Sequence, residues 1–458
     1  MSAYKSWLDK ITLAALCTLI FTLPFSKSAI EICSVIALVT WSLKKILPHK
    51  QLRQPAGLFQ RISPGLNIPI LLFVLTSFIA MCLSASIALS LKGFFFKLLQ
   101  GIFLYLIVAD VISDRKKLNI VLITMVLSMF IMGADGIFQS VFGRDFLRNN
   151  LIPGWENTCN DVMKGVRISA SFINPNGFGG WIAVMIPIAL GIMFIARKQL
   201  SEKIIRSIMS IIVFLLVLCL AMTRSRGAWA GLAFAMIFLA LRKKSKMFLV
   251  IIVIVLATLF FILPHFIVTD QNLTGPSKVS SATGSYGIAV AYIKDFIFGI
   301  RDQAVQVMLR TDVVRTHLWR EALMIIKDFP VFGCGLNTYS IIAPLYKSGL
   351  EEAGIYPHNC YLQMAAETGI VGLTAFLWLI FRLFKTSLKN LKKLKYEFYS
   401  NILIGLLAGM LAFLVHSFFD VNFYALQLAI LMWFIMGLIV AVQRIALKEE
   451  SNPGECNA

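Results

Sequence analysis

Long apolar runs recur along almost the whole chain, with a cluster of Lys or Arg in every second connection between them, and this pattern limits the fold more than any other feature. A bilayer-spanning helix needs about 17–25 predominantly apolar residues. Runs of roughly that kind lie near 11–25, 28–43, 68–90, 94–112, 118–141 and 177–196. Six more lie near 205–222, 227–241, 247–267, 358–381, 400–418 and 424–443. They lack the period-2 alternation of a transmembrane β-barrel. Only 14% of the 458 residues are charged and 58% are hydrophobic, whereas soluble domains carry about 25% charged residues. The expected fold is therefore an all-α integral membrane protein of about 12 transmembrane helices.

Charge fixes the expected sidedness. With the N-terminus inside, the internal connections are 44–67, 113–117, 197–204, 242–246 and 382–399. They contain KKILPHKQLRQ, DRKK, RKQLSEK, RKKSK and RLFKTSLKNLKKLK, as the positive-inside rule requires. The net charge of +20 then reflects internal loops, and nucleic acid is excluded as a partner. The start imitates a signal peptide, with Lys5 and Lys10 before an apolar run to Pro24 and then Ser26-Lys27-Ser28-Ala29. Further spans follow at once, so an uncleaved first helix is expected. Residues 142–176 and 268–357 fall outside, giving three parts: membrane helices 1–267, a large external loop 268–357 between spans nine and ten, and membrane helices with a tail, 358–458.

The large loop contains TDVVRTHLWREALMIIKDFP, in which Trp319, Ala322, Leu323 and Ile326 share one helical face. That face is expected to pack on the membrane domain. The eight cysteines form no C-x-x-C pair. Cys17, Cys33, Cys82 and Cys219 fall in spans as packing residues, while Cys159 and Cys334 are both external.

Several polar groups stand at the outer mouths of the spans. Arg224 and Arg226 occupy a short outer connection, where positive charge is unexpected; they either snorkel to headgroups or hold an anion. His358 and Asn359 open span ten, followed by Gly369 and Gly372 at close-packing spacing. Glu367 lies deeper in that span and needs a partner inside the bundle. Asn174-Pro175-Asn176 fits a helix start, because Asn caps and Pro suits the first turn. His416 and Asp420 are four apart, a spacing that suits a local hydrogen bond better than a metal pair. No metal or other cofactor is expected.

Taken together, these residues resemble the O-antigen ligase and polymerase superfamily of bacterial envelopes. The ligase branch carries His-Asn, nine residues, then Gly-x-x-Gly, matched by His358-Asn359, Cys360 to Thr368, and Gly369 to Gly372. Asn174-Pro175-Asn176, Ser225-Arg226-Gly227, Arg315 with Trp319, and Pro330 with Gly333-Cys334-Gly335 fit further motifs of the superfamily. The resemblance covers roughly 170–385. It implies a GT-C-like membrane glycosyltransferase in the inner membrane with its active site facing the periplasm. Its donor would be a glycan on undecaprenyl diphosphate, and its acceptor lipid A–core or another glycan, with membrane lipids around it.

In that setting His358, Arg226 and Arg315 are the expected catalytic residues. Arg224, Asn359, Asn174, Asn176, Arg310, Arg320, Tyr356 and Trp319 are expected to bind substrate. Arginine suits a diphosphate because its planar fork donates bidentately and stays charged. A polymerase or a protein O-glycosylating enzyme would use the same donor. A transporter or flippase is the third reading, disfavoured because its polar site would lie near the midplane.

Overall fold

A computed structural model describes residues 2–46, 65–152, 167–194, 200–243, 314–347 and 356–451. Among the described residues the fold is helical, with one isolated bridge between Arg144 and Leu151. The helices are α1 Ser2–Thr22, α2 Lys27–Ile46, α3 Asn67–Cys82, α4 Ile87–Val111, α5 Arg115–Phe142 and α6 Pro175–Met193. Then come α7 Leu200–Thr223, α8 Arg226–Lys243, α9 over 314–328, α10 Cys360–Leu391, α11 Glu397–His416 and α12 Leu426–Ser451. Among the described residues seven segments are long and apolar enough to cross a membrane: α4, α5, α6, Lys203–Thr223 of α7, α10, α11 and α12. The protein is thus a multi-pass membrane protein. The ninth expected span, His265, most of the large loop, Arg310 and Cys159 lie outside the described residues.

The helix boundaries follow local chemistry. Asp114 accepts from the Lys117 amide at 3.0 Å to start α5, and Gly143, at φ 72°, ends it, as a left-handed C-terminal residue does. Asn174 accepts from the Gly177 amide at 2.6 Å, with Pro175 in the first turn of α6. One expected boundary is wrong. The chain breaks at Leu83–Ser86 rather than at Lys92-Gly93, because Ser84 Oγ accepts from the Ser86 amide at 3.0 Å and forms the turn. Gly93 instead lies inside α4, just before a π-helical turn over Phe94–Leu99. Its missing side chain admits Asn337, whose Cβ would lie 2.6 Å from a Cβ there. Within one apolar stretch, periodicity cannot locate such a break.

The centre is formed by α6, α11 and α12. α6 packs on α11, α8 and α7, while α12 packs on α4 and α10 on α3. Glycines make the closest crossing. A Cβ on Gly191 would lie 2.8 Å from the Asn401 carbonyl, and one on Gly405 2.9 Å from that of Pro187. Such close approach of backbones gives packing where lipid supplies little hydrophobic drive.

The two ends of the bundle separate cleanly. At one end Asp9 bonds Lys44 and Lys117, Lys45 pairs with Asp110 at 2.8 Å, and Tyr399 donates to Glu449. At the other end lie the start of α6, the α7–α8 turn, the C-terminus of α11 and the start of α10.

Candidate active site

Asn359 builds the entrance of α10. Its Oδ1 accepts from the amides of Tyr361 and Leu362 at 3.0 and 3.1 Å, and it is buried. The cap fixes the preceding residue, His358, in a left-handed conformation at φ 46°, which is uncommon away from glycine. The segment after α11 then folds back against it. The Cys360 amide donates to the Ser417 carbonyl at 2.9 Å, and its thiol to the Asp420 carbonyl at 3.0 Å. This contact brings Asp420 Oδ1 to 3.3 Å from His358 Nδ1, with the imidazole 41% exposed and the carboxylate 11%. Burial pushes the Asp420 carboxyl up, but the His358 hydrogen bond, the His416 charge and the Val421 amide outweigh it and hold it below its ordinary value.

His416 and Asp420 do not share a hydrogen bond of their own. His416 is buried between Gly180 and Gly227, where a Cβ would lie 2.5 Å from its Nδ1 and 3.0 Å from its Cδ2. Its Nδ1 is 2.9 Å from Asn422 Nδ2. Donation by that amide leaves the ring proton on Nε2. The glycine of Ser225-Arg226-Gly227 therefore makes room for His416 and Phe419. Among the described residues no group of three or more His, Cys, Asp or Glu is placed to hold a metal ion.

Three of the expected arginines are placed relative to His416 by the α7–α8 turn, where Gly227 packs on its ring, and by the charge of Arg315. Arg224, at φ 51°, turns the chain between α7 and α8, and Arg226 is the first residue of α8 beside Gly227. Both are half-buried. Arg315, in the first turn of α9, is close enough for its charge to act on His416. A fourth arginine was not singled out from sequence. Arg167 donates to the Thr223 carbonyl at 2.8 Å and to Asn176 Oδ1 at 2.6 Å, tying the start of α6 to the α7–α8 turn. Nothing local marks it, since its partners are 56 and 9 residues away.

The remaining expected residues divide by what they already hold. Asn174, Asn176 and Asn359 use their carboxamide oxygens on Gly177, Arg167 and the α10 amides. Trp319 donates its indole N–H to the Pro357 carbonyl at 2.9 Å and packs edge-on against Phe418. It thereby docks α9 onto the residue before His358. Arg320 is exposed, and Tyr356 is exposed while stacking on Tyr339.

The expected apolar face of α9 is partly corrected. Leu318, Ala322 and Ile325 are buried, whereas Leu323 is 55% exposed. The buried face lies one residue round because Ala322 and Ile325 pack with Cys334, Tyr339 and Ala366. Cys334 is a free thiol beside Thr338, and burial pushes it up to about 11.

The two glycine motifs form one joint. Gly369 interrupts α10 at φ 71°, ψ 178°, and residues 330–335 lie in the break. The amides of Cys334 and Gly335 donate to the carbonyls of Ala366 and Glu367 at 2.9 and 3.1 Å, and Ile370 donates to Pro330 at 2.9 Å. A Cβ on Gly369 would lie 2.0 Å from the Val331 carbonyl. Gly369 is therefore more than the close-packing glycine expected from its spacing. Glu367 finds its expected partners here, accepting from the Asn337 and Tyr339 amides at 2.8 and 3.3 Å.

No curated protein matches this chain. Residues 211–377, which carry Arg224, Arg226, Arg315, His358 and the glycine joint, match the family model described as O-antigen ligase. Over that stretch the chain is similar to the O-antigen ligase superfamily, and the match indicates a glycosyltransferase-like membrane enzyme of O-antigen ligase or polymerase type.

Proposed function

We propose that this protein is an O-antigen ligase-type glycosyltransferase. It moves a glycan from undecaprenyl diphosphate to lipid A–core at the periplasmic face of the inner membrane, through twelve spans and an external loop over 268–357. The observation that carries this reading is the His358–Asp420 pair, with His358, Arg226 and Arg315 inside the matched residues and Asp420 brought in from the segment after α11.

Asp420, acting on Nδ1, holds the tautomer that leaves Nε2 free to accept a proton. An acceptor hydroxyl gives its proton to His358 Nε2 as its oxygen bonds to the anomeric carbon of the donor sugar. The bond from that carbon to the diphosphate oxygen breaks, and its electron pair leaves with the lipid diphosphate. Arg224, Arg226 and Arg315 offset the negative charge that develops there, which in a water-poor site contributes about 3–4 kcal/mol per well-placed donor.

Deleting the protein in its own host tests this reading. Full-length chains should accumulate on the lipid carrier while lipid A–core stays bare. Single repeat units on the carrier, with one repeat on the core, would replace the ligase reading by a polymerase. Donor trapped on the cytoplasmic face would point to a flippase.

A further inference from the structure

A second polar chamber, lined by Val421 next to Asp420, has no arginine on its wall. It measures about 160 Å³ and is bounded by α4, α10 and the 417–425 segment, with Lys97, Asn337, Ser340, Tyr356, Gln363 and Tyr424 on its wall. One water needs about 10–15 Å³ by this measure, so the chamber suits a group much larger than water. Deeper down, the space turns apolar between Phe73, Phe376, Ile430 and Trp433. The polar groups thus form a single layer near the mouth.

Two features of that layer suit a ligand. Gln363 is 1% exposed, yet its Oε1 has no hydrogen-bond partner among the described residues; its Nε2 donates to Glu367 at 3.3 Å. Leaving a buried acceptor unmade is costly, so a bound donor would satisfy it. Lys97 lies in the π-helical turn of α4, its Nζ 2.6 Å from Asn337 Oδ1. Such turns inside α-helices recur at functional sites. Two of the ammonium's three protons remain for other acceptors. Glu367 lies within range of that charge, so the chamber does not present an uncompensated cation that would favour a diphosphate. Its mixture of donors, an open acceptor and the tyrosine ring suits a neutral polyhydroxyl group.

We propose that this chamber is the acceptor subsite and takes a hydroxylated sugar ring. Gln363 Oε1 accepts from one hydroxyl, Lys97 and Ser340 donate to others, and Tyr356 covers an apolar face of the ring. Val421, which follows Asp420, lines the same space, so a ring seated there lies next to His358. The inference rests on the glycosyl-transfer reading and adds that donor and acceptor approach from opposite sides of the 417–425 segment.

The test uses the full chain in proteoliposomes, with lipid-linked glycan as donor and purified lipid A–core as acceptor. Gln363→Leu should raise the acceptor KM about tenfold, the worth of one hydrogen bond, and leave the donor KM unchanged. Ala425→Trp fills the mouth from an exposed position that packs nothing inside, so it keeps the proposal testable if Gln363→Leu folds poorly. It should raise the acceptor KM further, again without touching the donor. A rise in donor KM instead, or no change in Ala425→Trp while Arg226→Ala abolishes transfer, overturns the subsite and spares the proposed function. Unimpaired transfer in His358→Ala and Arg226→Ala removes both.

Discussion

The two ends of the helix bundle use their backbones differently. At the lysine-rich end, polar side chains satisfy one another: Asp110 accepts from Trp41 at 2.9 Å and from Lys45, and Arg444 caps the carbonyls of Asp110 and Ile112 at 3.2 Å. No described residue there has a positive φ. At the opposite end Asn149, Ala170, Arg224, Asn337 and His358 are all left-handed without being glycine. Each such residue costs about 1–3 kcal/mol and persists only where its surroundings hold it. The holding groups are visible. Gln139 Oε1 binds the amides of Ser169 and Ala170 at 2.9 and 2.7 Å, and Glu367 binds that of Asn337. One end is built to be stable, and the other stores strain where the candidate site residues sit.

If that contrast marks function, changes at the strained end should cost activity out of proportion to stability. His358→Ala should lower transfer about 10²–10⁴-fold, the usual worth of a general base, with insertion and melting temperature close to wild type. Arg226→Ala and Arg315→Ala should each cost about 10²–10³-fold, the loss seen on removing one charge-stabilising donor. Lysine should restore only part, because a point charge lacks the planar fork. These rates are to be measured in membranes supplied with lipid-linked glycan, with and without a chelator. Full activity in both arginine variants would return them to headgroup anchors. Loss of wild-type activity on chelation would reopen His416 and Asp420 as metal ligands.

The glycine joint sharpens the contrast from the other direction. Gly369→Ala meets the Val331 carbonyl and a positive-φ, extended-ψ backbone that is essentially restricted to glycine, so it should cost well over the roughly 1–3 kcal/mol of the backbone alone. Gly372→Ala meets only the Thr368 side chain of its own helix and should cost less. Thermal unfolding of the two variants checks this order, and equal losses would deny the joint its role.

How much of this was legible beforehand depends on the range over which each feature acts. The cap at Asn174 and the basic connections act within a few residues, and they could be read directly. The positions of Arg226, His358 and the glycines came from motif spacing. What the glycines do could not be read, because Gly369 answers to Val331 across 38 residues. The same holds for Asp420, 62 residues from His358; its visible neighbour, His416, suggested the wrong partner. Lys97 was exposed to view in FFFKLLQ, but a single lysine in a span gives no hint of its cavity.

Acid should act on the same pairing with a defined sign. The Asp420 carboxyl is held below its ordinary 3.8, so its contribution to stability is complete above that value and is lost as pH falls through the lower folded one. The gap in melting temperature between wild type and Asp420→Asn should therefore be widest near neutrality and narrow as pH falls through and below the ordinary carboxylate value of 3.8. A gap that is constant over that range would mean that the carboxylate's charge is not what Asp420 contributes.

The smallest expected effect separates a cap from a contact. Asn359 is adjacent to His358 and was expected to bind substrate, yet its Oδ1 is engaged by two α10 amides and its side chain is buried. If capping is its work, Asn359→Asp and Asn359→Ser should keep most activity, since both are good caps. Asn359→Ala should lose about 0.5–2 kcal/mol of stability and only several-fold in rate, through a looser His358. If the carboxamide instead touched the donor or acceptor, Asn359→Asp would fail as badly as Asn359→Ala. Comparing those two variants at equal protein level decides between local architecture and chemistry at the residue next to the proposed base.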